Sequence, residues 1–137
     1  MSRRLARQAA MSLIYERDIN KEPGDTLIEM SDVLKTDEFI EKHKDYIDTV
    51  ISEYEKNAEH VDSVIEKHCV GWKMDRLSKV DVSILRLAIV EILYMDTPVK
   101  VVANEAVEIA KAYSTEKSSS FINGLLASVI KQTEKED

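Results

Sequence analysis

The stretch that decides the fold is Ser78-Lys79-Val80-Asp81-Val82-Ser83-Ile84-Leu85-Arg86-Leu87-Ala88-Ile89-Val90-Glu91-Ile92-Leu93-Tyr94-Met95. From Val82 to Met95 the strongly polar side chains are Ser83, Arg86 and Glu91. A surface helix keeps one polar face, so a helix that is apolar nearly all round is covered by neighbours on several sides. A buried strand competes for such a run, but strands rarely exceed about ten residues. Ser78 followed by Asp81 has the spacing of an N-terminal cap in which each side chain satisfies a backbone donor. Asp96-Thr97-Pro98 then stops the pattern. The reading is a buried hub helix over about 78–95, with the other helices packed around it.

Outward from the hub the chain stays helical in period. A first helix runs from about Ser2 to Ile19, with Leu5, Ala6, Ala9, Ala10 and Leu13 as its buried stripe. At 100° per residue, Arg3, Arg4 and Arg7 fall together on the opposite side, flanked by Met11 and Tyr15. Pro23-Gly24-Asp25 is a turn, and Asp25 is placed to cap a short helix with Leu27, Met30 and Leu34 inward. A longer helix follows over about Glu38–Lys56, with Ile40, Ile47, Val50, Ile51 and Tyr54 on one face. Val61, Val64, Ile65, His68 and Trp72 mark another, ended by Gly71, and Lys73 to Leu77 connects to the hub. After Pro98 a helix covers about Val99–Tyr113, and Ser114 to Lys117 is a polar loop. The last helix starts near Ser118 and buries Phe121, Ile122, Leu125, Leu126, Val129 and Ile130. Gly124 inside it suggests close approach by another helix. The total is an all-α chain of about seven helices.

Composition agrees. A chain of 137 residues with 44 % hydrophobic residues can bury a core as one domain, and 3 Gly and 2 Pro are few for a β-rich fold. No apolar run reaches membrane-spanning length, no signal-peptide core opens the chain, and Cys69 is the lone cysteine. A cytoplasmic protein without a membrane segment is expected. Residues 1–15 hold three arginines and no acid, whereas the net charge is −7. A basic tip on an acidic body binds nucleic acid locally and limits unspecific adhesion.

Catalytic chemistry is poorly represented. His43, His60 and His68 have no zinc-ligand spacing with each other or with Cys69. His68 lies on an apolar face and reads as a core or interface residue, and Cys69 reads as packing. There is no phosphate-cradling glycine loop and no nucleophile elbow. No cofactor, no metal and no enzymatic activity are expected. The arginine face is the strongest chemical signal, because guanidinium groups grip phosphate bidentately and stack on bases. Tyr15 beside it adds a stacking surface for a single-stranded base.

Several blocks in order make the chain resemble the NusB family of transcription antitermination factors. They are Arg-Gln-Ala-Ala-Met-Ser-Leu-Ile-Tyr at Arg7–Tyr15; Trp72, Asp75-Arg76-Leu77 and Val80-Asp81 with Ile84-Leu85-Arg86-Leu87-Ala88 and Glu91-Ile92-Leu93; Pro98 and Asn104 to Lys111; and Phe121-Ile122-Asn123-Gly124-Leu125-Leu126. The resemblance implies two small, perpendicular helical bundles within one domain over 1–137, divided into 1–57 and 58–137. It implies binding of boxA single-stranded RNA together with NusE, a small-subunit ribosomal protein, in an RNA polymerase complex that reads through terminators in ribosomal RNA operons. Residue by residue, the RNA-binding role falls on Arg3, Arg4, Arg7 and Tyr15, on the loop Thr115 to Ser118 with Lys117, and on Phe121. The role toward NusE falls on Asp81.

Physical readings stand beside these assignments. The start of the last helix, Ser118 to Ser120, offers backbone donors for a phosphate. Phe121 shares a helical face with Leu125 and Val129, so a core role stays open. Asp81 also serves as the cap partner of Ser78, and Asn104 and Asn123 fit buried hydrogen-bonding positions. The family loop often carries glycine and an acid, whereas here it reads Ser114-Thr115-Glu116-Lys117. Lys117 favours RNA, and the short basic run at the N-terminus disfavours it. A helical protein-interaction module without RNA is the alternative function. Ribosomal RNA cytosine methyltransferases carry a NusB-like domain, but no segment for a methyl donor is expected here. A homodimer stays open for the free protein.

Overall fold

The computed structural model describes residues 2–20, 37–69 and 77–136, with side-chain environments for 3–16, 41–69 and 77–134. Five helices occupy the described residues: α1 (Ser2–Asn20), α2 (Asp37–His68), α3 (Lys79–Tyr94), α4 (Val99–Tyr113) and α5 (Glu116–Glu136). The expected count of about seven is corrected at one point in particular. The two helices read on either side of Lys56 form one run, α2, bent at Asn57 (φ −123°, ψ 19°). The Asn57 side-chain amide donates to the Glu53 carbonyl at 2.8 Å, so the bend is closed within the helix. The expected helix after Asp25, and the expectations for Gly71, Trp72 and Lys73–Arg76, lie outside the described residues.

Helix α3 is the hub. It packs against each of the other four described helices. Every residue from Asp81 to Ile92 is buried. Ile84, Leu85 and Ile89 are almost wholly excluded from water, and each such burial contributes about 1.5–3 kcal/mol. Ser78 caps the helix as expected, its hydroxyl accepting from the Asp81 amide at 3.0 Å. Asp81 uses a carboxylate oxygen elsewhere, described below. Burying polar groups is costly unless they are bonded, and the three buried charged side chains of the hub each bind a different helix. Arg86 donates to Asp62 on α2 twice at 2.9 Å. Glu91 receives Arg7 of α1 at 2.8 and 3.1 Å. Asp81 receives Ser118 of α5 at 2.7 Å.

The core is one cluster drawn from all five helices, including Ala6, Ala9 and Ile14 of α1, Val50 and Val61 of α2, and Ile122 and Leu126 of α5. Three surface features depart from the sequence reading. Gly124 is exposed, with nothing among the described residues within 4 Å of the position a Cβ would take, so none of the described helices approaches it. Asn104 and Asn123 are likewise exposed. Helix α5 starts at Glu116 rather than near Ser118, because Thr115 caps it: the Ser118 amide donates to the Thr115 hydroxyl at 3.0 Å. His68 does join two helices, with its ring nitrogens 2.6 Å from the Ser128 hydroxyl and 2.9 Å from the Gln132 side-chain oxygen.

Candidate nucleic-acid interface

The arginines of α1 do not form the single exposed face expected of them. Arg7 is 5 % exposed. The reason is positional: Arg7, Ala10, Met11 and Ile14 stand at i, i+3, i+4 and i+7, one helical face, and all four are buried. The buried stripe is therefore turned toward Arg7 and Met11, while Leu5 and Leu13 are only partly buried. Arg7 points its guanidinium into the fold and grips Glu91, which also accepts from the Thr97 hydroxyl at 3.2 Å. Burial works against the Arg7 charge, but the hydrogen bond and charge of Glu91 outweigh it and raise its pKa above the usual value.

Arg3 and Arg4 remain at the surface. Arg3 lies over the ring of Tyr46, 4.3 Å from its centroid, a cation–π stack. Burial, and then the Glu91 carboxylate, push the Tyr46 hydroxyl well above the usual phenol range, so this ring stays neutral beneath Arg3. Arg4 donates through Nε and Nη2 to the two carboxylate oxygens of Glu105 on α4, at 2.8 and 2.7 Å. The same carboxylate lies 3.9 Å from Arg7 Nη1. Together Arg3, Arg4, Leu5, Arg7, Val101 and Glu105 line an open cleft of about 500 Å³ between α1 and α4. Further along, the Tyr113 hydroxyl donates to the Gln8 side-chain oxygen at 3.0 Å.

The other predicted residues except Tyr15 converge on a second cleft, about 370 Å³, where the start of α3 meets the start of α5. Asp81, Thr115, Lys117, Ser118 and Phe121 all line it, with Leu77 and Ser78. A short relay of hydroxyls organises it. Thr115 donates to the Ser118 hydroxyl at 3.0 Å, which donates to Asp81 Oδ2 at 2.7 Å. Asp81 is 5 % exposed, and its Oδ1 has no hydrogen-bond partner among the described residues. Lys117 is exposed, and Phe121 is partly buried against the core while it also lines the cleft. The backbone donors expected to await a phosphate are partly used: the Ser118 and Ser119 amides donate to the Thr115 hydroxyl and carbonyl. Tyr15 is half-buried on α1 and lines neither cleft.

Sequence reasoning missed Tyr46, Glu105 and the role of Glu91. Glu91 carried a signal, since an acid inside an apolar run needs a cationic partner. Glu105 and Tyr46 carried none, because each looks like an ordinary helical residue until α1 is laid against them. Among the described residues no cluster of three or more His, Cys, Asp or Glu is placed to hold a metal ion. No helix among them is long and apolar enough to cross a membrane.

Comparison with known proteins is consistent with this geometry. The chain is 47 % identical to the transcription antitermination protein NusB of Natranaerobius thermophilus, over 98 % of this chain and 99 % of that protein. It is 46 % identical to NusB of Acetivibrio thermocellus, over 96 % and 90 %. The solution structure of NusB from Aquifex aeolicus superposes with a TM-score of 0.77 at 30 % identity, covering 100 % of this chain and 93 % of that one. A crystal structure of the antitermination factors NusB and NusE in complex with double-stranded RNA matches with a TM-score of 0.74 at 27 % identity, over 96 % and 97 %. With residues 4–131 matching the NusB family and relatives of this identity along nearly its whole length, the chain belongs to the NusB family.

Proposed function

We propose that this chain is an RNA-binding antitermination adaptor that holds boxA-type single-stranded RNA together with NusE and promotes read-through in ribosomal RNA operons. As a NusB-family transcription antitermination factor it is not an enzyme. It works in the cytoplasm, as part of an RNA polymerase complex. The observation that carries the RNA reading is the convergence of Asp81 with Thr115, Lys117, Ser118 and Phe121 in one cleft. Those residues combine what single-stranded RNA recognition uses: a cation for phosphate, an aromatic ring for a base, and polar groups for base edges. Arg3 and Arg4 supply further phosphate contacts, and Tyr15 a half-exposed ring. Arg7 holds α1 on the hub through Glu91 and supports those contacts from beneath. The NusB–NusE–RNA complex among the structural relatives supports both partners.

The test is fluorescence anisotropy of labelled boxA RNA and a scrambled control, with and without NusE, at two salt concentrations. Selective binding that NusE strengthens is the expected result, and the strengthening must be reciprocal. One observation favours the alternative of a protein-interaction module without RNA: of Arg3, Arg4 and Arg7, two are matched by carboxylates. Partner binding that persists in high salt, with no RNA bound in either condition, would decide for that alternative.

A further inference from the structure

We propose that Glu105 is a built-in stand-in for an RNA phosphate: it occupies Arg4 in the free protein and is displaced when a phosphate of single-stranded RNA enters the cleft between α1 and α4. This deepens the RNA-binding reading above and rests on it.

The geometry is that of a surrogate anion. Glu105 presents both oxygens to Nε and Nη2 of Arg4 at 2.8 and 2.7 Å, the forked contact that a phosphate also takes from arginine. It stands between two guanidiniums, with Arg7 Nη1 3.9 Å away. The cleft around it, about 500 Å³, has room for a phosphate and part of a nucleotide. At the rim Val101 is 44 % exposed, an apolar surface against which a sugar or base can rest.

The energetics permit exchange at Arg4 and forbid it at Arg7. The Arg4 side chain is 45 % exposed and that of Glu105 14 %. Exposed ion pairs hold weakly, because water and salt screen them. The Arg7 and Glu91 side chains are 6 % and 1 % exposed, so Arg7 has no comparable freedom. Charge counting points the same way. Glu91 and Glu105 offset two of the three charges of Arg3, Arg4 and Arg7. The hydrogen bond from Arg4 holds the Glu105 carboxyl below the usual carboxylate range, so it is ionised at neutral pH. Every phosphate that reaches Arg4 must first meet that negative charge.

Phosphate contacts carry no base information, so Glu105 lowers affinity for all single strands by one factor. The test compares the full-length wild type with Glu105→Gln, Arg4→Ala and the double variant, by anisotropy on boxA and scrambled RNA. Glu105→Gln should bind both RNAs about threefold to tenfold more tightly at low salt, and the gain should shrink at high salt. Its salt dependence should steepen by about 0.7 in log–log slope, because no freed carboxylate takes up a cation as the phosphate releases one. The gain should be smaller when Arg4 is already Ala. Equal or weaker RNA binding by a folded Glu105→Gln, with the wild type binding normally, overturns the inference and makes Glu105 an orienting residue for Arg4. If Glu105→Gln does not fold, exposed Val101 carries the test: Val101→Glu should bind about threefold more weakly than Val101→Gln, and equal binding by the two overturns the inference. RNA binding by no variant, wild type included, overturns the RNA reading itself and the inference with it.

Discussion

Two arginines one helical turn apart meet two glutamates, and the outcomes differ. Arg7 and Glu91 are sealed inside the fold, with side chains 6 % and 1 % exposed, whereas Arg4 and Glu105 lie at the cleft, 45 % and 14 % exposed. Both pairs are bidentate. Burial alone separates a structural fastener from a displaceable contact. In the interior, removing one partner strands a charge that water cannot reach. At the cleft, water and salt replace the missing partner cheaply.

The sharpest way to break this comparison is to truncate the buried arginine. Arg7→Ala should cost about 3–5 kcal/mol of stability by leaving Glu91 unpaired, read by urea denaturation. Replacing both partners, Arg7→Met with Glu91→Met, should restore much of that loss, because two apolar side chains strand no charge. A small loss in Arg7→Ala would show that Glu91 finds another partner and that the interior pair is no fastener.

Next in size comes the cleft at the start of α5. Ser118→Ala removes the donor to Asp81 Oδ2 from a carboxylate whose Oδ1 already lacks a partner among the described residues. The expected cost is about 1–3 kcal/mol, the penalty of an unsatisfied buried acceptor, again read by denaturation. An unaltered midpoint would mean that the hydroxyl relay adds nothing to the docking of α5 on the hub.

The exposed pair should behave in the opposite sense to the buried one. Arg4→Ala should leave the melting temperature unchanged and weaken RNA binding by about tenfold, one charged contact's worth. A lowered melting temperature with unaltered RNA binding would reverse the roles assigned to the two pairs. The smallest effect concerns acid. The Glu105 carboxyl is held below its usual range in the folded state, chiefly by the Arg4 hydrogen bond. A folded value below the unfolded one gives stability that is present above the unfolded pKa and lost as pH falls through the folded pKa. Glu105→Gln should therefore flatten the acid limb of the stability-against-pH curve slightly, in thermal melts taken from neutral pH downward.

The same contrast explains what could be read from the sequence. The hub was legible because its evidence is local: a long apolar run, a capping serine and a proline stop. The placement of Val99–Tyr113 was legible for the same reason. Arg7 was misread because a charge on an amphipathic helix was assigned to the surface, and its partner lies 84 positions away. Helical period cannot see that distance. The meeting of Asp81 with Ser118 spans 37 positions. Family resemblance pointed to both residues but gave them separate roles, toward the protein partner and toward RNA. Thr115 reads as part of a polar loop, yet it caps α5 and so decides where that helix begins. For Arg7 and for the pair Asp81 and Ser118, the missing information was which helix lies against which.

The bend at Asn57 has a consequence for the size of the molecule. A straight helix of 32 residues would extend about 48 Å, longer than the width of a compact domain of this length, roughly 37 Å from its expected radius of gyration. An unbent α2 would overshoot, leaving one end with nothing to cover. With the kink at Asn57 between them, Val50 on one arm and Val61 on the other are each fully buried. One arm carries Tyr46 under Arg3, and the other carries Asp62 to Arg86. A single non-helical residue thus divides an over-long rod into two arms, each of which reaches the core.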